Sequence, residues 1–222
     1  MAIYVTSDAH GHVRALDEAL SKISLTSDDT LYVLGDMIDR GPDPVGVINL
    51  VRSLPNARVL KGNHEQIMLD AIIGQDPLDA ETWDINGGWT TRQQLNEMEF
   101  EAYEELVRWA AALPLYAVAE TAERPYLLVH AGIQAEAARA FLLEHGVDCA
   151  DGRGAVDADS ELLQQMLAVQ SSDDLLWIRH GYWDAPTGLL SAEGKGPVVV
   201  SGHTPTVSLG RYCEVGGLAG LD

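Results

Sequence analysis

Cysteine is scarce in this chain: Cys149 and Cys213 are the only two in 222 residues. They lack paired spacing and an obvious secretory context, so reduced thiols are expected rather than a disulfide framework. Lysine is nearly as scarce, with Lys22, Lys61 and Lys195 alone, and the arginines do not cluster. With 14 Lys+Arg against 34 Asp+Glu, the formal net charge is -20. A phosphate backbone needs a basic stripe to displace its counterions, so stable binding to duplex nucleic acid is not expected and an anionic membrane is disfavoured. Long apolar runs are missing too. The longest, around Trp109 to Ala119, is interrupted by Pro114 and falls short of the ~20 residues that span a bilayer. The N-terminus has no basic segment and Asp8 breaks its apolar stretch, so it does not read as a signal peptide. A cytoplasmic protein is expected.

What is present is an ordinary core-forming composition, 46% hydrophobic and 22% charged, with no Pro/Gly/Ser-rich linker to divide it. One domain over 1–222 is expected. Ile3-Tyr4-Val5 reads as a strand and His12 to Ile23 as an amphipathic helix. Leu31 to Leu34 and Ala57 to Leu60 repeat the strand signal, each followed by a helical pattern. This alternation predicts an α/β sheet with its loops leaving the strand C-termini. Helical insertions are expected at about 74–113, containing an Asn86-Gly87-Gly88-Trp89 turn, and at about 134–170, around a Gly-rich acidic loop. Leu115 to Ala119 and Tyr126 to Val129 restore strands, and Pro197 to Ser201 is the last clear one.

Five motifs follow predicted strands: Asp8-Ala9-His10-Gly11, Gly35-Asp36-Met37-Ile38-Asp39-Arg40-Gly41, Gly62-Asn63-His64-Glu65, His130-Ala131-Gly132 and Gly202-His203-Thr204-Pro205. Asp8, His10, Asp36, Asn63, His130 and His203 are six candidate metal ligands. Carboxylate, amide and imidazole donors together suit Mn²⁺, Fe or Zn²⁺, and two such ions about 3.5–4 Å apart activate water against phosphorus. Singly the motifs are weaker. A DxH triplet arises often, Asp36 could cap a turn, and Asn63 could cap the helix it begins. A lone histidine after an apolar strand is more often structural, although two followed by turn residues shift that balance. His64 is a candidate general acid with Asp39 as its orienting partner. Arg40 and Arg179 are candidate phosphate clamps, with a surface ion pair equally open for Arg179. His12, His145 and His180 fit exposed or supporting roles, and Trp83, Trp89, Trp109 and Trp183 read as packing residues.

From Ile3 to roughly Thr206 these motifs, in this order, resemble the phosphoprotein phosphatase family of calcineurin-like metallophosphoesterases, most closely its compact bacterial and bacteriophage-lambda-type members. Asn86-Gly87-Gly88-Trp89 and Trp177-Ile178-Arg179 add to the likeness. The resemblance implies a four-layered αββα sandwich with a dinuclear centre. Asp8, His10 and Asp36 would hold one ion, and Asp36, Asn63, His130 and His203 the other. A hydroxide bridging the ions would attack phosphorus in line, while His64, oriented by Asp39, protonates the departing oxygen. Arg40 and Arg179 match the family's phosphate-binding arginines, and Asn63 and His64 would also face the phosphate. Two Mn²⁺ ions are expected, with Fe or Zn as alternatives.

The implied substrate is a phosphorylated protein, at serine or threonine and also tyrosine, or a small phosphoester. Symmetric cleavage of dinucleoside tetraphosphates is the alternative activity, and a metal-bound non-catalytic scaffold the alternative without one. Asp39 and Glu65 favour the phosphatase, because tetraphosphatase-type relatives tend to lack an acidic residue before the arginine and to carry Asp after Asn-His. Ser7 and Ala9 depart from the usual Gly and Val or Ile, with little effect expected. After Pro205 the family normally continues through two or more strands, so with only Arg211 to Leu221 as a remnant a shortened sheet edge is expected.

Overall fold

Three short apolar segments, β1 (Ile3–Thr6), β2 (Thr30–Val33) and β3 (Ala57–Val59), pair in parallel in that order in the computed structural model, which describes residues 1–74, 76–179, 186–205, 214–215 and 218–220. Ile3 lies opposite Thr30, and Leu31 opposite Ala57. Parallel neighbours need a crossover. The helices α1 (Val13–Ile23) and α2 (Pro44–Ser53) supply it between successive strands. The start of α2 is set locally: Pro44 opens its first turn, and the Asp43 side chain accepts the Gly46 N–H at 2.9 Å. After β3 come α3 (Asn63–Ile73), α4 (Pro77–Ile85), α5 (Trp89–Asn96) and α6 (Phe100–Ala111). Leu31, Val33, Val47, Ile48, Val51, Ile67 and Met68 form the centre of the core, with Leu106 and Ala110 from α6. These elements make up one compact unit, Met1–Pro114.

The second unit, Leu115–Asp222, is built on the strands β4 (Tyr116–Glu120), β5 (Pro125–Val129), β6 (Val198–Ser201), β7 (Glu214–Val215) and β8 (Leu218–Gly220), in the spatial order β4-β5-β6-β8-β7. β4 and β5 run antiparallel, β5, β6 and β8 are parallel, and β7 returns antiparallel to β8. Between β5 and β6 lie α7 (Ala135–Glu144), α8 (Ser160–Ala168) and α9 (Ser172–Trp177). Leu142, Leu163, Met166 and Leu167 from these helices bury against Leu127, Val129 and Val199 of the sheet. Among the described residues no helix is long and apolar enough to cross a membrane.

Mixed α/β architecture with two sheets is the fold class expected, and α4 to α6 and α7 with α8 occupy the two helical insertions. Two features exceed the sequence reading. The six residues of α9 are too few for a helical period to show, and its start is fixed by Ser171, whose hydroxyl accepts the Asp174 N–H at 3.0 Å. Pro197 to Ser201 is also not the last strand. The described parts of the Arg211 to Leu221 stretch extend the sheet as β7 and β8, which are too short to alternate visibly. His180, Trp183 and Cys213 lie outside the described residues. Cys149 is a buried free thiol, its pKa raised chiefly by that burial.

Candidate active site

In the first unit the motif loops are tied by their backbones. His10 N–H donates to the Asp36 carbonyl at 2.9 Å, Gly11 N–H to that of Met37 at 2.8 Å, and Asp43 N–H to that of Gly11 at 2.9 Å. The two loops approach so closely that a Cβ on Gly41 would sit 2.0 Å from the His10 carbonyl oxygen. Met37 and Ile38 are fully buried in the core, which leaves the flanking Asp36 and Asp39 to be held by polar partners. Eight non-glycine residues have positive φ among those described, and six are candidate site residues: Asp8, His10, Asp36, Asp39, Arg40 and His203. Left-handed backbone in such residues is costly and persists where surrounding contacts over-determine it.

Those contacts bring several predicted residues together. His10, Asp36 and His64 each present a donor atom, all within 4.8 Å of one another. His10 Nδ1 lies 2.8 Å from the Ile38 carbonyl; a carbonyl only accepts, so Nδ1 carries the proton and Nε2, 3.7 Å from Asp36 Oδ2, has the lone pair. Asp36 Oδ1 accepts the His64 N–H at 3.0 Å. Asp8 is near enough for its charge to favour protonation of both His10 and Asp36. Asn63 is 3% exposed and is the first residue of α3. The cap is Gly62 instead, whose N–H donates to Glu65 Oε2 at 2.9 Å.

His64 lies between an acid and a base. Its Nδ1 is 2.7 Å from Asp39 Oδ2, and its Nε2 is 2.8 Å from Arg40 Nη2. A guanidinium can only donate, so here Nε2 is the acceptor and the Nδ1 proton points at Asp39. Asp39 also accepts from Trp83 and Thr91. By its sequence context Trp83 reads as a packing residue, and Thr91 carries no signal. Trp89, also expected to pack, is 62% exposed at the start of α5.

In the second unit His130 directly follows β5 and His203 follows β6. Their Nε2 and Nδ1 atoms are 3.2 Å apart, both rings buried. Arg179 Nε donates to His203 Nε2 at 2.9 Å, so its partner is a candidate site histidine rather than a surface acid. Trp177, just before it, meets the His203 ring edge-on with centroids 6.1 Å apart.

The model of the calcineurin-like phosphoesterase family matches residues 1–217. The chain belongs to that family. Symmetrical bis(5'-nucleosyl)-tetraphosphatases from Erwinia tasmaniensis and Proteus mirabilis are 31% identical over 136 residues and 32% identical over 139, in each case 60% of this chain and 45% of the relative. The match thus spans less than half the length of these curated relatives. Of solved structures, a protein serine/threonine phosphatase from Saccharomyces cerevisiae superposes with a TM-score of 0.57 at 18% identity, covering 99% of this chain and 66% of that one. At this identity the likeness concerns the fold alone.

Calcineurin-like phosphoesterases are dinuclear metalloproteins, and the donor set of this chain fits divalent ions. Burial lowers the His10 pKa to about 4, further depressed by the nearby His64 and Arg40 and offset by the Ile38 hydrogen bond. At neutral pH the ring is therefore neutral, the form that can ligate a metal. Burial also raises Asp36 well above the usual carboxylate range, with Glu65 and Asp8 adding to the effect and His64 opposing it. A buried carboxylate among other acids calls for a cation to hold it ionised.

Proposed function

We propose that this protein is a Mn²⁺-dependent phosphomonoesterase acting on phosphoserine and phosphothreonine in proteins. The observation that supports this choice is the buried 2.7 Å contact between Asp39 and His64. A serine or threonine oxygen departs as a strongly basic alkoxide and needs a proton as the ester bond breaks. An imidazole backed by a carboxylate is built to give one. In symmetric cleavage of a dinucleoside tetraphosphate the departing group is a nucleoside diphosphate, a stabilised anion with far less need of an acid.

In this reading Asp8, His10 and Asp36 would hold one ion, and Asp36, Asn63, His130 and His203 the other. The pair of ions, when bound, lowers the pKa of water to make a nucleophile and neutralises phosphoryl charge. The chain supplies the rest. Arg40 leaves His64 Nε2 for the phosphoryl oxygens, and Arg179 grips them with a second guanidinium. His64 Nε2, freed of Arg40 and protonated, faces the departing oxygen. Asp39 stabilises the imidazolium through Nδ1.

The second reading, a symmetric dinucleoside tetraphosphatase, is favoured by the 31% identical relatives that carry that name. Turnover of p-nitrophenyl phosphate, a phosphopeptide panel and diadenosine tetraphosphate, after chelation and Mn²⁺ add-back, separates the two. Mn²⁺-restored phosphopeptide hydrolysis is expected. Much faster hydrolysis of diadenosine tetraphosphate at equal concentration would overturn the phosphatase reading, and no turnover with two ions bound would mean a scaffold.

A further inference from the structure

Asp39 is held by more donors than orienting one histidine requires. Its Oδ1 accepts the Thr91 hydroxyl at 2.6 Å and the Trp83 indole N–H at 3.0 Å, and the same N–H is 3.2 Å from Oδ2. The Thr91 oxygen in turn accepts the Asp39 backbone N–H at 2.9 Å. Thr91 thus grips Asp39 at both main chain and side chain, which fixes the plane of the carboxylate. Asp39 and Thr91 are fully buried and Trp83 is 3% exposed, so no water competes for these bonds.

The donors come from the first helical insertion, Trp83 in α4 and Thr91 in α5. The turn between these helices serves the same purpose. A Cβ on Gly88 would lie 2.2 Å from the Trp83 ring, so glycine lets the indole reach Asp39. The Gly87 carbonyl accepts the Arg40 N–H at 3.1 Å. The Arg92 guanidinium sits over the indole, 5.0 Å from the ring centroid. The arrangement points one carboxylate oxygen at His64 Nδ1.

We propose that Trp83 and Thr91 are positioning residues for departing-group protonation, acting through Asp39 on His64. The inference rests on His64 being the general acid. Losing the indole N–H or the hydroxyl lets the Asp39 carboxylate rotate, and the imidazole loses the orientation that aims Nε2 at the departing oxygen. The defect should therefore grow with the basicity of the leaving group, a dependence that simple loss of packing lacks.

The test uses the Mn²⁺-loaded protein with Trp83→Phe, Thr91→Val and Thr91→Ser, assayed on phenyl phosphate and p-nitrophenyl phosphate. Phenylalanine keeps the apolar ring and valine keeps the shape, so each removes chiefly a donor. Both should lower kcat on phenyl phosphate by about 10- to 100-fold and on p-nitrophenyl phosphate by about threefold or less, with KM and bound Mn²⁺ unchanged. Thr91→Ser, which retains the hydroxyl, should recover most of the loss. Equal losses on both substrates, or loss of metal, would overturn the inference and make the two residues structural. If Thr91→Val does not fold, Trp83→Phe alone decides. His64→Asn separates the two levels of the argument. A steep leaving-group dependence in His64→Asn with none in the positioning variants refutes only the present inference, whereas none in His64→Asn removes the acid and this inference with it.

Discussion

Glu65 holds the backbone of Asp36 in place: its Oε2 accepts the Asp36 N–H at 2.9 Å. The same oxygen accepts the Gly62 N–H, and Oε1 accepts that of Met37, both also at 2.9 Å. One carboxylate, 1% exposed, therefore ties the loop after β2 to the start of α3. Each loop carries candidate ligands, so their spacing depends on the reach of this one side chain.

Glu65→Gln replaces one accepting oxygen with an amide that can only donate, opposite a buried N–H. We expect a loss of about 2–4 kcal/mol in unfolding free energy, read from urea denaturation as a lower midpoint at unchanged slope. Glu65→Asp, one methylene shorter, should lose at least one bond of the three and weaken Mn²⁺ binding. Wild-type stability and metal affinity in both variants would show that the clamp is dispensable.

His64→Asn should lower kcat on phosphopeptide by about 10²–10⁴ with metal content intact. Asn63→Ala, at the neighbouring position, should do the reverse and weaken occupancy of one ion. Metal analysis alongside steady-state kinetics checks both. Full activity in His64→Asn excludes it as the acid, and unchanged metal stoichiometry and affinity in Asn63→Ala rejects that ligand.

Gly41→Ala sets a methyl group against the His10–Gly11 backbone, 2.0 Å from the His10 oxygen and 2.9 Å from the Gly11 carbonyl carbon. Backbone cannot rotate away as a side chain can. The cost should be about 3 kcal/mol, a fall of roughly 6–12 °C in Tm for a chain of this size. Calorimetry showing no change would mean that the two loops are free to part.

Asp29 gives a pH signature away from the site. Its carboxylate accepts the Ala2 N–H, which lowers its pKa most, together with the Thr26 hydroxyl at 2.7 Å and N–H at 3.1 Å. Because the folded value lies below the ordinary 3.8, the stabilisation is complete above that pH and is lost as pH falls through the folded value. The stability gap between the wild type and Asp29→Asn should thus be constant near neutrality and close in acid. Chemical denaturation from pH 7 to pH 3 measures it, and a gap as wide at pH 3 as at pH 7 would assign the difference to something other than the charge.

How much of this was legible in the sequence differs residue by residue. Asp36 and Asp39 could be read because a glycine and an apolar strand precede them and an arginine follows, and the pairing of Asp39 with His64 was expected from the motifs alone. Trp83 looked like core, since an indole in a helix reads the same whether or not its N–H has a partner. Thr91 carried no signal. Arg179 could not be resolved between a surface ion pair and the site, and β7 and β8 were too short to alternate.

Local order in the chain determined the α/β alternation, the strand-end placement of the motifs and the family, because hydrophobic period and motif spacing are properties of neighbouring residues. Tertiary structure alone decided which groups support them. Asp39 meets Trp83 across 44 positions and Thr91 across 52. Contacts of that separation depend on how α4 and α5 pack, and no local pattern encodes them. The left-handed backbone at Asp8, His10, Asp36 and Asp39 has the same origin. These residues have no intrinsic preference strong enough to adopt it, and the surrounding hydrogen bonds impose it.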